Sequence, residues 1–163
     1  LTLQEVGKFS LKLLLAPCGL LLVHRLHVLQ FLLGLDVLGH LLADGAITEV
    51  AKLNLSHCRK AVLCALHDGP VGVDVECVRS FTASLLDYTM CEREKAIIQS
   101  SSDPDAMFTS LWTRKEAVVK LTGEGVGSGM HHLLAPQRLE QEGIDVTTAS
   151  GEGYFYSVAT YRA

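Results

Sequence analysis

The sequence predicts an α+β fold, and three observations support this prediction. Several short runs of β-branched and aromatic residues are bounded by turn residues, which is typical of strands in an antiparallel sheet. One long segment with apolar residues at helical spacing begins at Asp103-Pro104 and ends at Gly123. Strands and helices do not alternate regularly along the chain, so we expect an antiparallel sheet with helices packed against it rather than a parallel α/β sheet.

The composition changes near Lys52, and we expect the chain to divide there into residues 1–52 and residues 53–163. The first part is rich in leucine and poor in charge. Its residues alternate in hydrophobicity from Phe9 to Leu15, as in a strand, and apolar residues then recur at helical spacing from Leu22 to Leu41. A strand followed by a long helix is therefore the expected structure of this part.

The second part reads as a series of short elements. Strands are expected at Leu53–Ser56, Ala61–His67, Val71–Glu76, Ile144–Ala149 and Tyr154–Tyr161. Helices are expected near Phe81–Leu86, at Glu92–Ser100 and from Asp103 to Gly123. The turn sequence Asp68-Gly69-Pro70 predicts a hairpin between the second and third of these strands. After Gly123 we expect a loop, in which His131 and His132 have no assigned role.

Charge and composition exclude several classes of protein. The formal net charge of −4 argues against a general nucleic-acid binder, because such proteins need a basic surface to displace counterions from phosphates. The longest apolar run, Leu13–Val23, is too short to cross a membrane and contains Pro17 and Gly19. The five cysteines show no Cys-x-x-Cys spacing, so neither a disulfide framework nor a zinc site is indicated. A reducing cytoplasm is the expected location.

Two segments carry acidic residues at spacings that suit a metal and a phosphate group. Asp74 and Glu76 are two apart in a predicted strand and therefore point to the same face, while Glu116 and Lys120 are four apart on a predicted helix and share one side. Carboxylate oxygens are ligands that Mg²⁺ prefers, and lysine is a point cation for phosphate. Taken singly, the strand pair also fits the exposed face of an edge strand, and the helix pair also fits an ordinary surface ion pair.

A third segment, Asn54-Leu55-Ser56-His57, ends the first strand of the second part. In chain order, the segments Asn-Leu-Ser-His, Gly-Val-Asp-Val-Glu and Trp-x-x-Lys-Glu-Ala-x-x-Lys together resemble the 4'-phosphopantetheinyl transferase superfamily of the Sfp type. The resemblance covers roughly residues 53–135. It implies a fold of two pseudo-symmetric α+β halves, of which the N-terminal half is abbreviated in this chain.

The resemblance also implies a reaction and a set of site residues. The reaction is the Mg²⁺-dependent transfer of 4'-phosphopantetheine from coenzyme A to a serine of an acyl or peptidyl carrier protein, with release of 3',5'-ADP. The metal ligands are expected to be Asp74, Glu76 and Glu116. The residues expected at the phosphate groups are Ser56, His57 and Lys120. Glu92 aligns with an acidic residue proposed to help deprotonate the serine. A metal-bound water could take this proton instead, and the sequence does not decide between the two.

The remaining expectations concern the carrier protein as a partner and the alternative functions of the chain. The cations Arg79 and Arg93 are expected to meet an acidic helix of the carrier protein. A non-catalytic protein of the same fold that only binds coenzyme A or a carrier protein is an alternative, and so is an unrelated magnesium-dependent phosphotransferase. Catalysis at phosphorus depends mainly on positioning and charge neutralisation, and the same residue types also serve in binding, so these functions stay open.

Overall fold

The computed structural model describes residues 2–5, 12–17 and 52–162, and it confirms the α+β class. The strands are β1 (Thr2–Glu5), β2 (Lys12–Pro17), β3 (Lys52–His57), β4 (Ala61–His67), β5 (Val71–Cys77), β6 (Ile144–Gly151) and β7 (Tyr154–Tyr161). The helices are α1 (Ala83–Thr89), α2 (Glu92–Ser100), α3 (Pro104–Thr122), a 3-10 helix (Ser128–His132) and α4 (Pro136–Gln141). The helix expected between Leu22 and Leu41 lies outside the described residues. In the described ranges, no helix combines the length and the apolar character that crossing a membrane requires.

The strands form two antiparallel sheets. One sheet has the order β1-β2-β4-β3, and the other has the order β5-β7-β6. In the second sheet Asp74 of β5 lies opposite Ser157 of β7, which in turn lies opposite Thr148 of β6. The first sheet takes strands from both sides of Lys52. The division at that residue, with two related halves, stays a prediction.

The expected hairpin between β4 and β5 is wrong. Both edges of β4 are already occupied, one by β2 and the other by β3, so β5 cannot pair with it. The turn at Asp68-Gly69-Pro70 instead carries the chain from the first sheet to the second. Turn residues indicate that the chain reverses, but they do not determine which strand edge is available for pairing.

The strand β5 is covered on both faces. Val71, Val73 and Val75 point into a core that they share with Leu63 and other residues of β4. The alternate residues Gly72, Asp74 and Glu76 point the other way, because side chains alternate along a strand. The close approach of Gly72 to α3 shows that this second face lies against that helix. Asp74 is consequently buried beneath α3.

The helix α3 begins and ends where the sequence predicts. The Asp103 side chain accepts a hydrogen bond of 3.0 Å from the Ala106 amide, and Pro104 occupies the first turn. Gly123 ends the helix in the left-handed conformation, with φ of 76°. The ring of Phe108 stacks against that of Trp112 on the buried side. Both ends of the helix that carries Glu116 and Lys120 are thus defined by local contacts.

The segment after Gly123 is more ordered than the expected loop. Residues 128–132 form the 3-10 helix, which includes His131 and His132, and α4 follows it. Met130 and Leu133 lie three residues apart and are both buried, so one side of this turn is part of the core. The sequence analysis missed the turn because two apolar residues are too few to produce a recognisable period.

Replacing Gly72 by alanine is expected to destabilise the chain by about 2 kcal/mol or more. A methyl group at this position would overlap the carbonyl oxygen of Ala117 and the amide nitrogen of Leu121 in α3, and neither backbone atom can move without shifting the helix. Urea unfolding measures the change. Gly129→Ala is the matched control, because a methyl group there meets no described atom within 4 Å. Equal stability of the two variants would contradict the close packing of β5 against α3.

Candidate functional site

Side chains of β3 join the two sheets at the edge of β5 that faces away from β7. The Asn54 side-chain oxygen accepts a hydrogen bond of 3.2 Å from the amide of Val73, and the Ser56 hydroxyl accepts one of 3.3 Å from the amide of Val75. These bonds occupy the amides on either side of Asp74, so they hold the backbone that carries its carboxylate.

One oxygen of the Asp74 carboxylate is fully engaged with neighbouring side chains. Its Oδ1 accepts hydrogen bonds of 2.8 Å from the Ser56 hydroxyl and 2.8 Å from the Lys120 ammonium. Lys120 also donates to Ser56 Oγ at 3.2 Å and to the carbonyl of Val73 at 3.0 Å. An ammonium group has three donors, and all three bind protein atoms here. The expected contact of Lys120 with phosphate stays a prediction.

Ser56 is similarly saturated within the protein. Its hydroxyl proton is donated to Asp74, and its oxygen accepts bonds from Lys120 and from the Val75 amide. A direct contact with phosphate would therefore replace one of these bonds, and this expected role also stays a prediction. His57, the next residue, is exposed at the end of β3. The strand alternation thus places its side chain on the opposite face from Ser56.

Glu76 and Glu116 lie in the same electrostatic environment as Asp74. The pKa of Glu76 is raised, first by burial and then by the negative charge of Asp74, while Arg79 and Lys120 lower it. The pKa of Glu116 is raised by burial and by the charges of Asp74 and Glu76, and is lowered by Lys120. The charges of these three carboxylates and of Lys120 therefore act on one another, which places the four side chains in one region of the structure.

The carboxylate oxygens at this site are ligands of the kind that bind a divalent cation. Their side chains are not arranged to coordinate one together in the described residues. In the part of the chain that the structure describes, no group of three or more His, Cys, Asp or Glu side chains is positioned to hold a metal ion. The supporting observation is Asp74 Oδ2, which is buried and accepts no hydrogen bond from any described residue. A buried carboxylate oxygen without a partner is costly, and a hard cation such as Mg²⁺ would satisfy it.

Glu92 is not brought to this group. It is the first residue of α2, its side chain is 91% exposed, and it binds the ammonium of Lys95 at 2.9 Å. It is not among the charges that shift the pKa of Glu76 or Glu116. Its expected part in deprotonating the serine stays a prediction.

Two features beside Asp74 have no role that the sequence predicts. Asn54 was noted only as part of a motif, although its position two residues before Ser56 places both side chains on one face of β3. Ser157, opposite Asp74, joins hydroxyls of Thr113 at 3.0 Å and Thr148 at 2.9 Å. No sequence signal links these three hydroxyls, because they come from α3, β6 and β7.

A small pocket lies next to Glu76. Glu76 and Arg79 line it together with the apolar side chains Leu85, Phe108 and Trp112. It therefore combines an apolar wall with one positive and one negative group.

The pKa shifts predict how stability depends on pH in the absence of divalent ions. Glutamate titrates at about 4.3 in an unfolded chain, whereas the pKa values of Glu76 and Glu116 are raised in the folded chain. At pH values between the unfolded and the folded pKa, the folded state binds more protons than the unfolded state. The free energy of unfolding is therefore expected to fall as pH rises through this range. Urea unfolding at several pH values measures this slope. If the double variant Glu76→Gln/Glu116→Gln keeps the same slope, these two residues are not its cause.

Fold and site together define a class of protein: an α+β protein with three clustered carboxylates and a lysine, suited to a phosphate ligand and a divalent cation. A comparison with protein families gives a matching result. The model of the 4'-phosphopantetheinyl transferase superfamily matches residues 70–157, which is more than half of the chain. The chain belongs to this superfamily.

Individual relatives agree with the family match. The chain is 34% identical over 92 residues to 4'-phosphopantetheinyl transferase psf-1 of Bacillus pumilus, which covers 55% of this chain and 39% of the relative. It is 33% identical over 98 residues to 4'-phosphopantetheinyl transferase HetI of Nostoc sp., covering 57% and 40%. For 4'-phosphopantetheinyl transferase Sfp of Bacillus subtilis the identity is 25% over 95 residues, covering 57% and 42%. The matches thus span about two fifths of the length of these relatives.

Proposed function

We propose that this chain transfers the 4'-phosphopantetheine group of coenzyme A to a serine of an acyl or peptidyl carrier protein and releases 3',5'-ADP. The proposal is supported by the family and by relatives that are named 4'-phosphopantetheinyl transferases. The observation that carries it is the buried Oδ2 of Asp74, which has no hydrogen-bond partner among the described residues and belongs to a group that also contains Glu76 and Glu116. A cytoplasmic location is part of the proposal.

The proposed metal ion is Mg²⁺, and its ligands would be Asp74, Glu76 and Glu116. When bound, Mg²⁺ supplies a Lewis acid that neutralises charge on the diphosphate oxygens of coenzyme A. Ser56 and Lys120 bind Oδ1 of Asp74, so Oδ2 is the oxygen of this carboxylate that remains for the cation.

The chain's own residues would position the substrates for displacement at the β-phosphate. The carrier serine oxygen bonds to the β-phosphorus, and the bond from that phosphorus to the bridging oxygen breaks as 3',5'-ADP leaves. Lys120 places a positive charge among the carboxylates, and His57 at the end of β3 is the proposed contact for a phosphate of coenzyme A. The serine proton passes to a carboxylate or to a water molecule. Glu92 is the carboxylate that the family resemblance implies, and to act here it would have to leave its contact with Lys95.

The proposed carrier-protein surface lies around α1 and α2. Arg79 and Arg93 are both exposed, and Arg79 also lines the pocket beside Glu76. Exposed cations at the edge of an interface mainly accelerate association with a partner of opposite charge. An acidic helix of a carrier protein is a partner of this kind, and it would bring its serine close to the carboxylates.

Reversing the charge of Arg79 and Arg93 is expected to raise the KM for carrier protein several-fold. Arg93→Glu alone should change kcat little, whereas Arg79 also acts on Glu76 through its charge. The measurement is steady-state transfer at increasing concentrations of apo-carrier protein. The double variant Arg79→Glu/Arg93→Glu is compared with Arg59→Glu, which alters an exposed cation at the turn between β3 and β4. An unchanged KM in the double variant would place the carrier protein elsewhere.

The function itself is tested by incubating the chain with coenzyme A, Mg²⁺ and an apo-carrier protein and recording the mass of the carrier. Transfer adds the phosphopantetheine group to one serine, and both EDTA and omission of coenzyme A should prevent it. Binding of coenzyme A without any change in the mass of the carrier would identify the non-catalytic alternative. Equal use of simple nucleotides would identify an unrelated phosphotransferase.

A further inference from the structure

Two cysteine side chains lie next to each other where β3 and β5 end. The hydrogen bonds from Asn54 to Val73 and from Ser56 to Val75 advance by two residues on each strand. The next pair in this register is Cys58 with Cys77, and the thiols of these two residues are hydrogen-bonded to each other. Two independent observations, the register and the thiol contact, therefore place the sulfur atoms side by side.

The backbone on both sides of this thiol pair is held in place. The Cys58 amide donates a hydrogen bond of 2.9 Å to the carbonyl of Ala61, which closes the turn between β3 and β4. Cys77 is paired with Tyr154 in the ladder between β5 and β7. Both cysteines are half-buried, and neither is part of a disulfide. The backbone at both positions is therefore fixed by contacts within each sheet, so rotation of the two side chains is the motion that bond formation would use.

We propose that Cys58 and Cys77 form a reversible disulfide when the chain meets a small-molecule disulfide of the glutathione type. The thiolate of one cysteine attacks the small disulfide and releases one thiol, which leaves a mixed disulfide on the protein. The thiolate of the second cysteine then attacks the protein sulfur of that mixed disulfide and releases a second thiol. The two protein sulfurs are oxidised, the small disulfide is reduced, and the two protons end on the released thiols.

The disulfide would join the two sheets covalently beside the candidate site. Cys58 directly follows His57, and Cys77 directly follows Glu76. The new bond closes a loop of chain from residue 58 to residue 77, so the melting temperature of the oxidised chain is expected to be several degrees higher. This inference does not depend on the proposed transfer reaction, because every readout concerns the thiols or the stability of the chain.

The environment of Cys58 predicts how the rate of disulfide formation depends on pH. Burial, together with the contact with Cys77, raises the pKa of the Cys58 thiol to about 11, against hydrogen bonds from the backbone that lower it. The thiolate is the attacking species, so little of the reactive form of Cys58 is present at neutral pH. The rate of disulfide formation is therefore expected to rise steadily as the pH is raised above neutrality.

The experiment treats the reduced chain with oxidised glutathione, blocks remaining thiols with N-ethylmaleimide and maps the products by mass spectrometry after trypsin digestion. The expected product has lost two hydrogens and joins the peptides of residues 53–59 and 61–79, and dithiothreitol reverses it. The second peptide also contains Cys64, so a Cys64→Ser variant assigns the bond. Cys58→Ser and Cys77→Ser should each abolish the cross-link, whereas Cys91→Ser should retain it.

Two results would overturn the proposal. One is a chain that carries glutathione on Cys58 or Cys77 without forming the cross-link. The other is a cross-link that persists in both Cys58→Ser and Cys77→Ser. Melting curves of the reduced variants establish that each of them is folded before oxidation, so loss of the cross-link cannot be attributed to unfolding.

Discussion

Replacing Asp74 by asparagine is expected to reduce phosphopantetheine transfer by roughly 100-fold or more, because Lewis-acid stabilisation of a transition state contributes several kcal/mol. Asparagine keeps the size of the side chain and one oxygen, but it removes the negative charge that acts on both Glu76 and Glu116. It also places a polar group that can donate hydrogen bonds next to Lys120. The measurement is single-turnover transfer to apo-carrier protein at saturating coenzyme A.

The matched control is Asp145→Asn on β6, where the carboxylate is exposed and binds Arg162 at 2.8 Å. This control should retain the activity of the unaltered chain. Circular dichroism and thermal melting establish that both variants are folded. Transfer by the Asp74 variant within about threefold of the unaltered chain, a difference well under 1 kcal/mol, would exclude this carboxylate as a metal ligand. It would also remove the observation on which the proposed function depends.

The second large effect is expected at Lys115, beside the site residue Glu116. The Lys115 ammonium is fully buried, binds the Glu94 carboxylate at 2.8 Å and donates to the carbonyl of Met130 at 2.6 Å. Lys115→Met leaves the Glu94 carboxylate buried without a cation, which typically costs about 3–5 kcal/mol. Urea unfolding measures the loss. The carbonyl of Met130 also loses this donor and keeps, among the described residues, only a 3.5 Å bond from the Leu133 amide, so the 3-10 helix is expected to loosen from α3.

A second substitution shows whether the unpaired charge causes this loss. The double variant Lys115→Met/Glu94→Gln removes both charges and should recover a large part of the stability, because no uncompensated carboxylate remains. Lys95→Met is the surface control. Lys95 binds the exposed carboxylates of Glu92 and Asp87, where solvent screens the ion pairs, so this substitution should change stability little. A similar loss in the Lys95 and Lys115 variants would contradict the buried role of Lys115.

The helix α3 illustrates how well local signals predict structure. Asp103, Pro104 and Gly123 act through the backbone within one turn of the helix ends, so the boundaries can be read from neighbouring residues. The turn before β5 shows the opposite case. Its sequence predicts a chain reversal, which occurs, but the pairing of β5 depends on which strand edges are occupied elsewhere in the sheets.

The candidate site was also predictable only in part. The spacing of Asp74 with Glu76 and of Glu116 with Lys120 indicates which side chains share a face, and the three motifs identify the superfamily, which the family match confirms. The hydrogen-bond partners of these charged side chains could not be predicted from the sequence. The spacing suggested a pair of Glu116 with Lys120, whereas Lys120 donates to Asp74, Ser56 and the carbonyl of Val73.

The sequence by itself determined the α+β class and the ends of α3. It also determined that Asp74 and Glu76 share one face of β5 and that Glu116 and Lys120 share one side of α3. These features arise from contacts between residues within a few positions of each other, and such contacts are encoded locally. Tertiary structure alone decided that Ser56, Asp74 and Lys120 saturate one another, that Lys115 is buried with Glu94 and that Cys58 meets Cys77. Each of these contacts joins elements that are distant in the chain, so it exists only after the sheets and helices have packed.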